Sequence, residues 1–446
     1  MTVFDHQRLT NAVIRLDIDG LRRGLYTDKY FENVYLVLSA LRESGYRYAG
    51  QHPRPLPADL SQVEIGEMRV EAQVFTRRKP YALVAGIDAA LAMIRYVTGY
   101  WEGEQFRETW DALEVEAVED GVIVEYDGQP EHVRPVLKIR GLYRDFAILE
   151  TTILGVLTRA SRIATNVYEV LKVSNGKPIL FFPARFDLPA VQPVDGYAYW
   201  LAVQRYNHDF GKQTRAAVST DAQASWWGGR GGGTTPHALI AAFFGDTAES
   251  MAAFARHLPL DVPRIALVDF NNDTVTDSVR TLDAFWPHYR DALANGDAEG
   301  QRRWRLDGVR IDTSANVRDV SLGEGDPYGI NPKQIRLVRA ALDRAWEGWH
   351  VPAELEETAR AYCRSVKIVA TGGFDSQRIE QYEAEGVPVD IYGVGSTLLR
   401  NDSETGTDFT MDVVRVEIDG TWHEVAKVGR RANANPDLGR VDLSGI

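Results

Sequence analysis

From about residue 146 onward, short apolar runs alternate with helical stretches: "PILFFPAR", "RAAVST", "RIALVDF", "GVRID", "KIVATGG" and "VDIYGVG". This alternation constrains the fold more than any other feature. Strand–helix alternation over roughly 250 residues makes parallel βα units, and a barrel is the economical way to close them. The long segment "AILETTILGVLTRASRIATNVYEVL" that precedes the runs carries an apolar face at helical spacing.

The flanks have a different texture. "TDKYFENVYLVLSALRESG" reads as a helix capped by Thr27 or Asp28, with Tyr30, Val34, Val37 and Leu38 at helical spacing. Residues 49–140 mix polar turns with alternating runs. In "EVEAVEDGVIVEYDGQ" the pair Asp120-Gly121 reads as a tight turn between strands. After 405, "TDFTMDVVRVEIDGTWHEVAKVG" returns to strand alternation. The expected organisation is an α+β domain over 1–145, an α/β barrel over 146–404, and C-terminal strands over 405–446 that rejoin the first domain.

Composition narrows the function. At 446 residues the chain exceeds one ordinary core, and 44% hydrophobic with 25% charged residues fits a globular protein. A net charge of -13 disfavours a general nucleic-acid binder. The single cysteine, Cys363, leaves no internal disulfide and no cysteine zinc cluster. No HExxH spacing occurs, so no protein-ligated metal is expected. Without a signal-like N-terminus or an apolar run of about 18 residues, the expected address is cytoplasmic, with no membrane partner.

In a parallel barrel, active groups sit at the carboxyl ends of the strands. There the sequence offers Asp269 with Asn271, Asn272 and Asp273, then Arg310, Asp312, Thr313 and Ser314. Two glycine-rich ends come next, Thr371-Gly372-Gly373 and Gly393–Thr397. The consecutive glycine ends suit a phosphate site. Bare backbone N–H groups can approach the anion there, and the Ser396 and Thr397 hydroxyls add donors. The competing reading is two ordinary tight turns. Asp269 and Asp312 can bind sugar hydroxyls or water-bridged Mg²⁺, or can cap the next helices. Arg310 is placed on the opposite strand face from Asp312 and reads as structural.

The stretch "GGRGGGTTPHALI" puts His237 after Pro236, at a helix N-terminus that favours a neutral, nucleophilic imidazole; the alternative is a satisfied structural histidine. Its glycines read as a mobile loop at the site entrance. In "NHDFGKQTR", Phe210 and Arg215 can stack on and pair with a planar anionic ring, or can be a core aromatic and a surface cation.

Taken in order, "LYTDKYFENVY", "ILETTILGVLTRASRIATN", "DFGKQTR", "GTTPHAL", "LVDFNNDT", "GVRIDT", "IVATGGFD" and "DIYGVGSTLL", with a late "KVGR", resemble the nicotinate phosphoribosyltransferases. That family belongs to the type II group with the nicotinamide and quinolinate enzymes. The resemblance implies an incomplete TIM-like α/β barrel joined to an α+β sandwich-like domain, in a head-to-tail homodimer with sites at the interface. It implies that nicotinate and phosphoribosyl pyrophosphate give nicotinate mononucleotide and pyrophosphate in NAD salvage. ATP is the co-substrate, through a phosphohistidine at His237, and Mg²⁺ arrives bound to substrate.

By the same resemblance, Tyr30 stacks on the pyridine from a neighbouring subunit and Phe210 covers the opposite face. Arg215, Thr235 and Arg310 join the substrate contacts, and Asp269 and Asp312 lie near ribose, pyrophosphate and metal. Gly372, Gly373, Gly393, Gly395, Ser396 and Thr397 hold phosphate. The chain departs from many relatives at "TSANVRD" after Asp312, at Asn272 and at Pro236. Other azaheterocyclic acids, a catalytically silent binding homologue and a sugar-phosphate lyase are the competing functions. The lyase would more naturally use a Schiff-base lysine or paired acids, and no lysine sits at an expected strand end.

Overall fold

The computed structural model describes residues 4–51, 56 and 58–446. The N-terminal helix Lys29–Glu43 begins after Asp28 and leaves Tyr30, Leu36 and Val37 exposed. Beyond it lies a six-stranded antiparallel sheet, in the spatial order Thr421–Glu424, Phe409–Ile418, Arg69–Thr76, Leu137–Leu142, Glu114–Ala117, Gly439–Arg440. The C-terminal strands thus occupy both flanks of a sheet whose middle comes from the N-terminal region. Register is set by pairs such as Val70↔Val416 and Val70↔Gly141, and the Arg69–Glu417 ion pair at 2.7 Å reinforces it.

The Asp120-Gly121 turn forms, with Gly121 at φ 96°, but it does not close a hairpin. Glu114–Ala117 pairs within the large sheet, whereas Ile123–Glu125 pairs with Tyr81–Leu83. The reason lies in Asp120, whose buried carboxylate accepts the Ile87 N–H at 2.8 Å and so turns the chain toward the helix Ile87–Val97.

The helix Glu150–Val173 buries Ile153, Leu157, Ala160, Ala164, Val167 and Leu171 at three- and four-residue spacing. It packs against both the antiparallel sheet and the helix Gln192–Phe210. Six parallel strands then curl into a partial barrel, ordered Ile265–Leu267, Gly308–Ile311, Lys367–Ala370, Ile391–Val394, Ile179–Phe181, Ala217–Val218. This is an incomplete α/β barrel beside an antiparallel-sheet domain. Among the described residues, no helix is long and apolar enough to cross a membrane.

The glycine-rich stretch spans the open side of the barrel. Gly231 bridges Val218 in parallel, the Gly232 N–H donates to Val218 O at 2.8 Å, and the Thr235 N–H and hydroxyl donate to Ile265 O at 3.4 and 3.0 Å. Strands in a sheet lie about 4.8 Å apart, so a short extended segment can stand in for a missing strand. The expected mobile entrance loop is therefore corrected: from Gly231 on, this segment is part of the wall. Glycine is needed at 231, where a Cβ would lie 2.6 Å from the Thr220 backbone carbon.

Candidate active site

His237 is the first residue of the short helix His237–Ala242, behind Pro236 at the N-cap. Its Nε2 lies 3.1 Å from Asp269 Oδ1. The imidazole is half exposed while the Asp269 side chain is 7% exposed, so the carboxylate orients the ring from below. When Asp269 is ionised, Nε2 carries the shared proton and Nδ1 is the nitrogen with a free lone pair. Burial, above all, raises the Asp269 pKa; the neighbouring Asp312 adds to this, and His237 opposes it.

Neither aspartate caps a helix. Asp273 caps Thr274–Ala294 instead, accepting the Thr276 N–H at 3.1 Å. Asn271 and Asn272 fix the same loop. The Asn271 amide donates to Gly245 O and Asp277, and the Asn272 amide donates to Arg318 O. Asn272 sits at φ 57°, a left-handed conformation that asparagine tolerates better than bulkier side chains.

Arg310 requires a correction. Residues two apart on a strand share a face, and Arg310 Nη2 lies 3.9 Å from Asp312 Oδ2. Its guanidinium is mostly buried, and its Nε has no hydrogen-bond partner among the described residues. Burial lowers its pKa and Asp312 and Asp269 raise it, while the cation Arg185 adds to the lowering. A buried fork with a spare donor between two carboxylates suits an incoming anion or a sugar hydroxyl.

The Thr371-Gly372-Gly373 end leaves a run of backbone donors unpaired among the described residues. Gly372 and Gly373 take φ 98° and 74°, and a Cβ on Gly372 would stand 3.4 Å from Asp312 Oδ1. The N–H groups of Gly372, Gly373 and Phe374 donate to no acceptor among the described residues. Successive free N–H groups before the helix Ser376–Ala384 form a concave donor set.

The second glycine end divides. Gly395 lies against the Phe186 ring, where a Cβ would come within 2.9 Å, and Ser396 is exposed. Thr397 donates to Phe374 O at 2.9 Å and so ties the two ends together. Gly393 is corrected to a packing residue. It is buried inside its strand, and its missing side chain makes room for the Thr371 methyl and the Phe182 ring. Thr235 is likewise corrected, because its side chain is fully buried and its hydroxyl is held by Ile265 O.

Phe210 and Arg215 are not brought to the mouth. The helix Gln192–Phe210 returns the chain to the amino ends of the strands, so whatever precedes Ala217 lies at the far end of the barrel. There Phe210 packs on Tyr206 and Tyr168, with centroids at 5.0 and 6.4 Å, and Arg215 is exposed. The mouth instead receives Phe182, Arg185 and Phe186 from the carboxyl end of Ile179–Phe181. Their signal is present in "PILFFPAR", where aromatic and cationic side chains come directly after the strand. Tyr30 sits on the N-terminal domain, 4.3 Å from the Phe31 ring centroid and in the field of Asp28 and Glu150.

Comparison with known proteins agrees with this geometry. Residues 59–161 match the family model of the quinolinate phosphoribosyl transferase N-terminal domain. A nicotinate phosphoribosyltransferase of Mycobacterium tuberculosis is 24% identical over 418 residues, spanning 88% of this chain and 73% of the relative. The crystal structure of a nicotinate-nucleotide pyrophosphorylase from Pyrococcus furiosus superposes with a TM-score of 0.61 at 26% identity, covering 94% of this chain and 80% of that one. Human nicotinic acid phosphoribosyltransferase shares the fold, with a TM-score of 0.51 at 15% identity over 88% of this chain and 75% of that one.

These likenesses support a relationship to the type II phosphoribosyltransferases. The proteins it is similar to are nicotinate and quinolinate phosphoribosyltransferases, and this homology supports an enzyme of that type.

Proposed function

We propose that the protein transfers the phosphoribosyl group of phosphoribosyl pyrophosphate to nicotinate in NAD salvage. The products are nicotinate mononucleotide and pyrophosphate, and ATP hydrolysis drives the reaction through a phosphohistidine at His237. The observation that carries this reading is the His237–Asp269 pair at 3.1 Å, set in the mouth with Asp312, Arg310 and the Gly372-Gly373 cradle.

Displacement of pyrophosphate at the anomeric carbon builds positive charge on the ribose. Asp269 and Asp312 stabilise that charge, while the Gly372–Phe374 N–H groups and Ser396 hold the phosphates. Arg310 and Arg185 receive the pyridine carboxylate and Phe182 or Phe186 covers the ring, in place of Arg215 and Phe210. Nδ1 of His237 accepts the ATP γ-phosphoryl group because Nε2 is engaged with Asp269. Among the described residues no three His, Cys, Asp or Glu side chains converge to hold a metal. Two carboxylates at the mouth fit an ion brought in on a diphosphate, where Mg²⁺ would neutralise leaving-group charge.

A homodimer completes the site. Exposed Phe186 lies against Gly395 and exposed Phe270 beside the His237 ring at the mouth, and Leu25, Tyr26, Tyr30, Leu36 and Val37 are exposed on the N-terminal region. Apolar patches of this kind mark interaction surfaces. A head-to-tail dimer covers one with the other and delivers Tyr30 to a neighbouring mouth. In this reading residues 146–404 form the catalytic unit, and 1–145 with 405–446 form the covering unit.

Incubation with ATP labelled at the γ-phosphate tests the coupling. An acid-labile, base-stable label is expected on the wild-type protein and none on His237→Ala. Equal labelling of the two would overturn the phosphohistidine role.

A further inference from the structure

We propose that Arg378 is a positioning residue for the phosphate cradle, a role that rests on the phosphoribosyl reading above. Arg378 is the third residue of the helix Ser376–Ala384, and its backbone N–H goes to Asp375 Oδ1 at 2.9 Å. Its side chain folds back beneath the loop before the helix. Nη1 donates to Gly372 O at 2.8 Å and to Gly373 O at 3.4 Å. Nη2 donates to Ile330 O and, at 3.3 Å, to the Tyr382 hydroxyl. The guanidinium also lies 4.5 Å from the Phe374 ring centroid.

This fork does two things. In a trans peptide the C=O and the next N–H point in opposite directions. Holding the Gly372 and Gly373 carbonyls therefore turns the Gly373 and Phe374 N–H groups away from the guanidinium, where they remain free to donate. Ile330 belongs to the segment after Asp312, so one side chain also fixes the Gly372–Gly373 loop relative to the acidic strand end. In addition, no described carboxylate lies within ion-pair distance of Arg378, and its acceptors are carbonyls and one hydroxyl. Its charge is not neutralised by a direct ion pair and adds to the attraction for an anion in front of the loop. In the sequence this arginine stands three residues beyond the motif "IVATGGFD".

Arg378→Ala and Arg378→Lys test the role through steady-state kinetics with phosphoribosyl pyrophosphate and base varied in turn. Thermal melting checks that each variant folds. Arg378→Ala is expected to raise KM for phosphoribosyl pyrophosphate by about tenfold or more and to leave KM for the base near its wild-type value. Arg378→Lys keeps the charge but cannot span the three carbonyls, so an intermediate rise is expected. Folded variants with an unchanged KM for phosphoribosyl pyrophosphate, or with both KM values raised alike, would overturn the proposal. If the alanine variant does not fold, the lysine variant decides by the same criterion. A wild-type protein that does not bind phosphoribosyl pyrophosphate would instead overturn the phosphoribosyl reading, and this inference with it.

Discussion

Single residues at the mouth divide the labour between orientation and charge. Asp269 holds the His237 ring by its Nε2, and burial keeps the carboxyl easier to protonate than an ordinary aspartate. ATP stimulation should therefore fade on the acid side as Asp269 takes up a proton and the imidazole loses its orienting acceptor. Asp269→Asn should reduce stimulation at every pH and flatten this acid limb; a pH profile of the ATP-stimulated rate decides, and an unchanged limb would contradict the pairing. His237→Ala should abolish stimulation while leaving basal transfer measurable. Base recognition makes a sharper residue-scale contrast. A charge-assisted contact is worth about 1.5–3 kcal/mol, so Arg185→Ala should raise KM for the base roughly tenfold to a hundredfold. Arg215→Ala, at the far end of the barrel, should leave it unchanged.

Among elements, the glycine-rich stretch gives the clearest test. Gly231→Ala forces a Cβ into the Thr220 backbone, and overpacking of this kind costs about 1–3 kcal/mol. Gly233→Ala meets nothing within 4 Å and should be neutral in thermal melting. Equal melting temperatures for the two variants would show that the segment does not close the barrel. Much of this architecture was legible in the sequence. The strand–helix alternation gave the barrel, and the C-terminal alternation gave strands that rejoin the first domain. The strand-end acids and glycines pointed to one mouth for Asp269, Asp312 and the Gly372-Gly373 loop, because barrel strands deliver their carboxyl ends to one place, and the helix start after Pro236 pointed to His237, which lies beside Asp269. Phe210 and Arg215 went astray because a motif match carries no direction. The run "RAAVST" begins at Arg215, so both residues come before a strand and not after one, and the helix Gln192–Phe210 leads into that strand from the far end. Thr235 and Gly393 went astray because a hydroxyl or a glycine near a strand end serves packing as readily as binding. The barrel-closing role of the glycines depends on contacts between edge strands far apart in sequence.

For the whole molecule, the proposed shared site and the buried acids carry the consequences. If Tyr30 serves a neighbouring mouth, Tyr30→Ala and His237→Ala proteins should each lack ATP-stimulated turnover. Mixing with subunit exchange should restore up to about a quarter of wild-type activity, because a mixed dimer regains one intact site. No recovery on mixing would contradict an interface site. Near Tyr30, burial together with Asp412 and Asp28 pushes the Glu150 carboxyl up to about 8. Its folded pKa lies above the unfolded value, so the folded state holds the proton more tightly. Stability is then lost as pH rises from the ordinary glutamate range through about 8. Glu150→Gln should melt higher than wild type at pH 8.5 and close to it near pH 4; the reverse order would contradict the assignment. The most direct measurement of the central claim is turnover by the purified protein given phosphoribosyl pyrophosphate with nicotinate, nicotinamide or quinolinate, each with and without ATP. Conversion of nicotinate to its mononucleotide with stoichiometric pyrophosphate, accelerated by ATP, is the result this account predicts. Consumption of none of the three bases would contradict it.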